Sequence, residues 1–211
     1  SELIKQSKEI GTLLSREEGK TLPEGIGEVI RSGQQFQYYA ASALRQFGEN
    51  IASTRDGVSV EISREPVGVC GIISPWNFPI AIAAWKSAPA MAFGNAIVLK
   101  PASQTPASAI ALTKIISEQK EIPEGLFNLV LGGGGTIGHQ MSGHSDINAI
   151  SFTGSVGVGQ TIYMEAAKSM KKMQLEMGSK NPLLIMDDAD INIAVACATN
   201  GAYGGTGQKC T

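Results

Sequence analysis

The sequence is poor in the features that mark several specialised classes of protein. It has three cysteines in 211 residues, too few and too scattered for a disulfide framework, so we expect a reducing, cytoplasmic setting. A net charge of −2 argues against the basic surface that binds nucleic acid. No apolar run reaches the roughly 18 to 20 residues that span a bilayer, and the N-terminus does not look like a signal peptide. We therefore expect no nucleic-acid or membrane partner.

Histidine is also scarce. The two that are present, His139 and His144, are five residues apart, with no cysteine or set of acidic ligands nearby, so we predict no metal site. What the chain does have is a hydrophobic fraction of 43% against 17% charged residues, which is typical of a globular core.

The first 65 residues predict two helices and a hairpin. Apolar residues spaced among charges predict an amphipathic helix over residues 3–19, and Pro23 opens a second helical stretch to about Phe47. Residues 50–65 alternate between apolar and polar, and Asp56-Gly57 is a signal for a two-residue hairpin turn.

From Val67 onward, short apolar strands alternate with helical segments. The predicted strands cover 67–73, 96–100, 126–131, 149–153 and 173–176, and the predicted helices cover about 80–93, 106–120, 136–143 and 155–169. This alternation predicts an α/β fold with a mainly parallel sheet, helices on both faces, and ligands at the carboxyl ends of the strands. A further strand at 182–186 and a helix at about 190–203 would open a second domain.

Two polar motifs follow the first two strands of this sheet. Ser74-Pro75-Trp76-Asn77-Phe78-Pro79 holds Asn77 between prolines, as an oxyanion-stabilising amide would be held. The alternative is a proline-rich turn with a capping asparagine and a core tryptophan. Lys100 ends the next strand, where it would face either solvent or a ligand hydroxyl or phosphate.

Glycine-rich segments follow the third and fourth strands. Gly133, Gly135 and Gly138 fit the G-x-G-x-x-G dinucleotide pattern. No acidic residue stands where that pattern needs one, so the run predicts only a tight turn with close backbone approach. Phe152-Thr153-Gly154-Ser155 ends the fourth strand, and a helix beginning at Ser155 would offer N–H groups to a phosphate or simply be capped by the serine.

Glu176 and Cys210 are the candidate reactive groups. Glu176 ends an apolar strand, although a lone glutamate is usually a surface charge. Cys210 lies in a glycine-rich loop whose N–H groups could stabilise a thiolate or an oxyanion, although a lone cysteine is usually a small buried hydrophobe.

Taken in order, five motifs resemble those of the aldehyde dehydrogenase superfamily. They are Pro75-Trp76-Asn77-Phe78-Pro79, Lys100-Pro101-Ala102, Phe152-Thr153-Gly154-Ser155, Glu176-Met177-Gly178 and Gly207-Gln208-Lys209-Cys210. The resemblance covers essentially the whole chain. It implies a Rossmann-like dinucleotide-binding domain over 1–47 and 66–177, an oligomerisation β-hairpin over 48–65, and the start of a catalytic domain over 178–211.

The resemblance also implies roles for four catalytic residues. Cys210 would attack an aldehyde carbonyl, and the Asn77 amide with the backbone N–H of Cys210 would hold the oxyanion. Glu176 would activate the water that hydrolyses the resulting thioester. Lys86 matches a family lysine near the thiol that is implicated in proton relay. The implied activity is NAD(P)-dependent oxidation of a small-molecule aldehyde to a carboxylate.

The implied cofactor is NAD or NADP. Lys100 would bind the adenosine ribose, the glycine run would lie beside adenine, and Ser155 with its helix would hold the pyrophosphate. The full set of implied cofactor residues is Ile73, Ser74, Pro75, Trp76, Lys100, Ser103, Gly134, Phe152, Gly154, Ser155 and Gly178. Because Ser103 stands where NAD-preferring members often carry glutamate, we expect NADP to be tolerated or preferred.

The resemblance extends to substrate class. Residues 80–86 and 204–211 look like the α-ketoglutarate semialdehyde (2,5-dioxopentanoate) dehydrogenase branch, and residues 36–39 would either line the substrate tunnel or only pack. Ser179 replaces a family glycine, so we expect backbone strain there if that position needs a positive φ.

Family members are longer than this chain, so the resemblance implies a portion of an enzyme, ending just after the candidate nucleophile, that forms a homodimer or homotetramer when complete. Two alternatives to an active dehydrogenase stay open. One is an inactive fragment that serves only as a nucleotide-binding or structural module. The other is a thiol-reactive protein that uses Cys210 without a cofactor.

Overall fold

Three helices precede the sheet in the computed structural model, which describes residues 1–45 and 48–210. They are α1 (Glu2–Lys5), α2 (Ser7–Glu18) and α3 (Leu22–Ala43). The predicted first helix is therefore broken at Gln6. The second ends at Ala43 rather than near Phe47, which lies outside the described residues.

The junction between α2 and α3 follows from local sequence. Helix α2 ends because Gly19 adopts a left-handed φ of +99°, which glycine tolerates without strain. Helix α3 begins with a capping box in which the Thr21 hydroxyl and the Glu24 carboxylate satisfy each other's backbone N–H, and Pro23 lies in its first turn. This junction places Lys20 in a buried position between the two helices.

The predicted hairpin is present as β1 (Glu49–Ala52) antiparallel to β2 (Ser59–Ile62). Asp56 and Gly57 occupy the centre of a turn closed by a hydrogen bond from the Val58 N–H to the Arg55 carbonyl. The two-residue turn was wrong, because strand pairing stops at Ala52 and Ser59 and leaves a six-residue loop. All eight strand residues are exposed, so neither face of the hairpin is covered by the described residues.

The predicted parallel sheet is confirmed. Its strands are β3 (Val69–Ile73), β4 (Ala96–Lys100), β5 (Phe127–Leu129), β6 (Ala149–Gly154) and β7 (Lys172–Met177), in the order β5-β4-β3-β6-β7. The intervening helices are α4 (Pro79–Ala92), α5 (Pro106–Ser117), α6 (His139–Gly143) after a π turn at Gly134–Gly138, and α7 (Val156–Ala167). The chain runs outward from β3 in one direction and resumes at β6 on its other side. This reversal leaves a crevice at the carboxyl ends of β3 and β6, where open α/β sheets bind ligands.

The core lies on both faces of the sheet, as predicted. On β4, Ile97 and Leu99 point into one cluster with α2, α3, α4 and α5, whereas Val98 packs against the other cluster with α6 and α7. This two-sided burial explains why the strands are continuously apolar and why polar residues are confined to their ends.

The predicted strand at 182–186 was wrong, whereas the helix after it was right. Residues 182–186 are extended but unpaired within the described part of the chain, and Pro182 has no N–H to offer a neighbouring strand. Helix α8 (Ile191–Tyr203) begins where the Asp190 carboxylate accepts hydrogen bonds from the N–H groups of Asn192 and Ile193. Among the described residues, no helix combines the length and apolarity that crossing a membrane requires.

Candidate active site

Candidate residues from four separate segments converge on one cavity of about 260 Å³, here called the strand-end cavity. It lies at the carboxyl ends of β3, β6 and β7. Its lining includes Pro75, Trp76 and Asn77 after β3, Thr153, Gly154 and Ser155 at the end of β6, Glu176, Met177 and Gly178 at the end of β7, and Gln208, Lys209 and Cys210. The three motif ends and the cysteine loop therefore face a common space, although 133 residues separate Asn77 from Cys210 (210 − 77).

Cys210 is exposed to this cavity, which excludes the interpretation as a buried hydrophobe. Its loop follows a 3-10 turn in which Gly205, Thr206 and Gly207 all have positive φ, a conformation that costs energy at the threonine. The loop is tied to α3 because the Gly205 N–H donates to the Glu24 carboxylate at 2.7 Å. That hydrogen bond lowers the pKa of Glu24.

The Asn77 side chain faces the same cysteine loop. The side-chain Nδ2 of Asn77 donates to the Gln208 backbone carbonyl at 3.0 Å. The backbone carbonyl of Asn77 accepts a hydrogen bond from Lys20 Nζ at 3.0 Å. A primary amide carries two N–H donors, so one remains for a ligand oxygen in the cavity. Asn77 is thus an anchored donor rather than only a capping residue of the turn.

A chain of hydrogen bonds runs from Glu176 to Lys86. Gln174 Nε2 donates to the Glu176 carboxylate at 3.0 Å, and Gln174 Oε1 accepts from Lys86 Nζ at 2.8 Å. Lys86 also donates to Ser151 Oγ at 2.8 Å. Lys86 does not line the strand-end cavity; it lines a separate pocket with Cys70 behind β6 and β7. The structure therefore links Lys86 to Glu176 through Gln174, where the resemblance implied a lysine near the thiol.

Burial lowers the pKa of Lys86 from its ordinary value of 10.5 to about 8, against the opposing pull of the Glu176 charge. Between about pH 8 and 10.5, an unfolded chain holds a proton on this lysine that the folded chain has lost. The free energy of unfolding should therefore gain a contribution that rises with pH across this window.

We expect Lys86→Met to remove that pH-dependent contribution. Urea unfolding of the wild type and of the variant, at pH values below and within the window, measures it. The wild type should gain stability relative to Lys86→Met as the pH rises, whereas Lys114→Met at an exposed position should show no such trend. A stability difference that is constant with pH would contradict the lowered pKa.

A second cavity of about 290 Å³ lies between the π turn, α6 and α7, and we call it the glycine-run cavity. Its lining includes Gly134 and Gly135 from the glycine run and Val158 and Ile162 from α7. Next to it, Ser103 Oγ donates to the Gly132 carbonyl at 3.3 Å, which connects the turn after β4 to the glycine run. A flat apolar ring between two helices fits a cavity of this shape and size.

Lys100 is neither solvated nor part of an ion pair in the described residues. It is only 3% exposed, and its Nζ donates to the Pro101 carbonyl at 2.7 Å. Burial lowers its pKa. The solvated-lysine alternative is therefore wrong, and the ammonium keeps two donors for a hydroxyl or phosphate.

The turn from β6 into α7 suits an anion. Ser155 is the N-cap of α7, yet its hydroxyl makes no capping hydrogen bond, so the first-turn N–H groups stay available. A Cβ at Gly154 would lie 2.5 Å from the ring of Phe152, so this glycine is needed for packing. Phe152 itself is buried in the core, and only its backbone can face the crevice.

Two buried hydroxyls at the same strand ends have no hydrogen-bond partner within residues 1–45 and 48–210. They are Ser74 Oγ after β3 and Thr153 Oγ1 at the end of β6. Unpaired buried hydroxyls, a buried lysine, a helix N-terminus and the glycine-run cavity together fit a ligand with phosphates, ribose hydroxyls and an adenine ring. The residues present are thus compatible with a dinucleotide.

A third cavity of about 680 Å³, the helix cavity, lies between α3, α4 and the cysteine loop, and it shares Ile82, Lys209 and Cys210 with the strand-end cavity. Gly27, Glu28 and Arg31 line it from α3, and Phe78, Ala81 and Trp85 line it from the α4 side. Residues 36–39 are not part of this lining. Phe36 packs against the core and Tyr38 is 63% exposed, so the packing interpretation holds for Phe36.

Sequence reasoning missed Gln174, Lys20 and Glu28. Gln174 had a usable signal, because residues two apart on a strand share a face and Glu176 was already a candidate. Lys20 and Glu28 had none, because Lys20 bonds Asn77 and Glu28 bonds the N–H groups at the start of α4, both more than 50 positions along the chain. The expected strain at Ser179 is absent, because Met170 and Thr206 are the non-glycine residues with positive φ in the described chain.

Known proteins match this chain over nearly its full length. The aldehyde dehydrogenase family model matches residues 1–211. The chain is 45% identical over 206 residues to alpha-ketoglutaric semialdehyde dehydrogenase of Bacillus subtilis (strain 168), covering 97% of this chain and 42% of that protein. It is 42% identical to betaine aldehyde dehydrogenase of the same organism, covering 100% of this chain and 43% of that protein.

Solved structures of aldehyde dehydrogenases also match this chain. Betaine aldehyde dehydrogenase from Staphylococcus aureus in complex with NAD+ has a TM-score of 0.96 at 38% identity, with 100% of this chain and 42% of that chain covered. An E. coli NADP dependent enzyme has a TM-score of 0.96 at 34% identity, with 99% and 43% covered. This chain thus spans less than half the length of the proteins it matches. By its sequence and its fold alike, the chain belongs to the aldehyde dehydrogenase family.

Proposed function

We propose that the full-length protein carrying this chain oxidises an aldehyde to a carboxylate with NAD or NADP. The observation that carries the proposal is the strand-end cavity, where Cys210, Asn77 and Glu176 meet. A nucleophile, an oxyanion donor and a base in one cavity, beside donors that suit a dinucleotide, are the groups this chemistry needs.

In the proposed first step, Cys210 Sγ attacks the aldehyde carbonyl and forms a thiohemiacetal. The negative charge that develops on the carbonyl oxygen is held by the free N–H of the Asn77 amide and by the backbone N–H of Cys210. The Asn77 amide costs little to position at this moment, because Gln208 already accepts one of its N–H groups and Lys20 holds the Asn77 backbone carbonyl.

When bound, the nicotinamide supplies the hydride acceptor that turns the thiohemiacetal into a thioester. Glu176 then takes a proton from a water molecule as that water attacks the thioester. The C–S bond breaks, the carboxylate is released, and Cys210 returns to the thiolate form that attacks the next aldehyde. Gln174 orients the Glu176 carboxylate by donating to it, and Lys86 behind it holds Gln174 in place.

The cofactor-binding roles are proposed from the same geometry. Lys100 and Ser103 would meet the adenosine ribose, Gly134 the adenine, and Ser155 with the α7 N-terminus the pyrophosphate. The remaining contacts would come from Ile73, Ser74, Pro75, Trp76, Phe152, Gly154 and Gly178. We also propose the domain division at 1–47 with 66–177, 48–65 and 178–211, assembly as a homodimer or homotetramer through the exposed hairpin, and a cytoplasmic location.

We propose a semialdehyde, such as α-ketoglutarate semialdehyde, as the substrate. Arg31 lines the helix cavity and makes no ion pair with a described residue, so it is a cation suited to the distal carboxylate of a semialdehyde. Betaine aldehyde is the second candidate, because the aromatic rings of Phe78 and Trp85 in the same lining could face a quaternary ammonium group.

Cofactor reduction by the full-length protein tests the substrate class. We expect kcat/KM to be highest for α-ketoglutarate semialdehyde, and Arg31→Gln to raise its KM about tenfold while leaving propanal, an uncharged aldehyde, unaffected. A higher kcat/KM for betaine aldehyde would favour the second candidate. Cofactor binding without turnover of any aldehyde would instead support a nucleotide-binding module.

The Ser103→Glu substitution tests the proposed use of NADP. A carboxylate beside the ribose 2′ position would repel a 2′-phosphate, so we expect the Kd for NADP to rise on the order of tenfold or more while the Kd for NAD changes little. Fluorescence titration with each cofactor measures both values, and Ser103→Gln is the neutral control of the same size. A wild type that strongly prefers NAD would contradict the proposal.

A further inference from the structure

We propose that the buried ion pair of Lys20 and Glu28 is a positioning device that holds Asn77 where its amide can meet an oxyanion. The proposal rests on the proposed function, because it takes Asn77 as the oxyanion donor. Lys20 and Glu28 are positioning residues in this scheme and act only through Asn77.

Lys20, just after α2, contacts the backbone of the turn that contains Asn77. Its Nζ donates to the Asn77 carbonyl at 3.0 Å and to the Glu28 carboxylate at 2.5 Å, and it lies 4.2 Å from the centre of the Phe78 ring. The residue is only 4% exposed. A buried ammonium with these contacts fixes the carbonyl and the ring on either side of one peptide bond.

Glu28 fixes the other end of the same turn. Helix α4 begins at Pro79, which has no N–H, and its N-cap Phe78 supplies no side-chain acceptor. The Glu28 Oε1 atom takes that place, accepting from the N–H groups of Ile80 at 3.1 Å and Ala81 at 3.0 Å. A carboxylate on α3 thus caps α4, and its charge is favourable at the helix N-terminus.

Together the two side chains hold the five-residue stretch 77–81 at both ends. Lys20 holds the carbonyl of Asn77, Glu28 holds the first free N–H groups of α4, and the ion pair joins the two contacts. Burying an ion pair brings little net stability, so stability alone gives no reason to prefer it here over apolar residues. Hydrogen bonds from a charged pair fix the orientation of the backbone groups they reach, which apolar packing alone would not do. Here they fix the backbone of Asn77, and that backbone sets the orientation of the Asn77 amide.

The test is a double-mutant cycle in the full-length protein. We expect Lys20→Met to lower kcat about 10- to 100-fold, because a displacement of about 1 Å can cost on the order of 100-fold, while the Kd for NAD(P)+ stays unchanged. In an Asn77→Ala background, Lys20→Met should change kcat by less than about twofold, because the group that it positions is already gone.

Three further variants separate a loss of folding stability from a loss of positioning. Lys20→Met leaves the Glu28 carboxylate and the buried Glu18 carboxylate, which lies 3.9 Å from Lys20 Nζ, without their cation. The triple variant Lys20→Met/Glu18→Gln/Glu28→Gln removes all three charges and should recover the melting temperature but not kcat. Lys20→Arg should keep most of kcat, because it restores a cationic donor. Lys114→Met, which removes a lysine from an exposed ion pair, is the matched control and should leave kcat unchanged.

The outcomes separate the two proposals. Equal losses of kcat from Lys20→Met with and without Asn77 would overturn the positioning role and leave the proposed function intact, as would recovery of kcat in the charge-free triple variant. An unchanged kcat for Asn77→Ala itself would overturn the oxyanion assignment in the proposed function. A loss of kcat from Lys20→Met that disappears in the Asn77→Ala background supports both.

Discussion

Replacing Cys210 with alanine in the full-length protein is expected to lower kcat for aldehyde oxidation by about 10⁴-fold or more. Losing a nucleophile that acts as a unit with its neighbours removes nearly all catalysis in enzymes with covalent intermediates. The measurement is the rate of cofactor reduction at saturating aldehyde. The Kd for NAD(P)+ should stay the same, because the proposed adenine contact lies in the glycine-run cavity, whose lining does not include the thiol.

The matched control is Cys197→Ala, which removes another exposed thiol, this one on α8 and outside the strand-end cavity. It should leave kcat within about twofold of the wild type, as surface substitutions usually do. If Cys210→Ala kept full activity, the covalent mechanism would be wrong. Full loss of activity in both variants would point instead to a general effect of removing thiols.

Glu176→Gln is expected to separate the two halves of the reaction. Glutamine keeps the size of the side chain but cannot accept a proton from water, so thioester hydrolysis should slow by about 10² to 10⁴-fold. Formation of the thioester does not need that base. We therefore expect a rapid burst of reduced cofactor, close to one per active site, followed by a nearly flat steady state in stopped-flow absorbance.

Mass spectrometry of the quenched protein supplies the independent readout. The acyl group should accumulate on Cys210 in Glu176→Gln and not in the wild type. Glu124→Gln, at an exposed glutamate before β5, is the control and should show ordinary turnover. Loss of the burst together with the steady state would mean that Glu176 acts before the thioester forms, for example by activating the thiol.

The Glu176 hydrogen bonds also bear on the pH dependence of this step. Gln174 and Lys86 lie behind the carboxylate, and Lys86 loses its charge near pH 8. Below that pH, the Lys86 ammonium holds Gln174 by a charge-assisted hydrogen bond, and this bond weakens as the lysine becomes neutral at higher pH. The two variants above therefore report on the reacting thiol and base themselves, whereas Lys86 acts on the base from a distance.

Much of the fold could be predicted from the chain's local patterns. The change from alternating residues in the hairpin to apolar strands separated by helices predicted a parallel sheet, and all five strands are present within a few residues of their expected limits. Strand ends were also the right places to search, because residues buried on both faces leave polar groups nowhere else to go. Asn77, Gly154, Ser155 and Glu176 were found in this way, and they line one cavity together with Cys210, which was picked out in a glycine-rich loop.

Predictions from local patterns were wrong where the conformation of a segment depends on contacts with another part of the chain. Residues 182–186 are apolar enough for a strand, but a strand exists only when a neighbour supplies hydrogen bonds, and none of the described residues does. The hairpin turn was longer than Asp56-Gly57 predicted for the same reason, since pairing stops before the turn is reached. Lys100 is buried rather than solvated because the surrounding turns cover it.

The sequence by itself determined which residues could react, because residue type and position at a strand end set that chemistry. Only the tertiary structure decided which of them work together. Lys20 meets Asn77 across 57 residues, and Gln174 meets Lys86 across 88, because strand order and helix packing bring those segments side by side. A hydrogen bond depends on the distance and direction between two groups, and neither can be deduced from the spacing of residues along the chain.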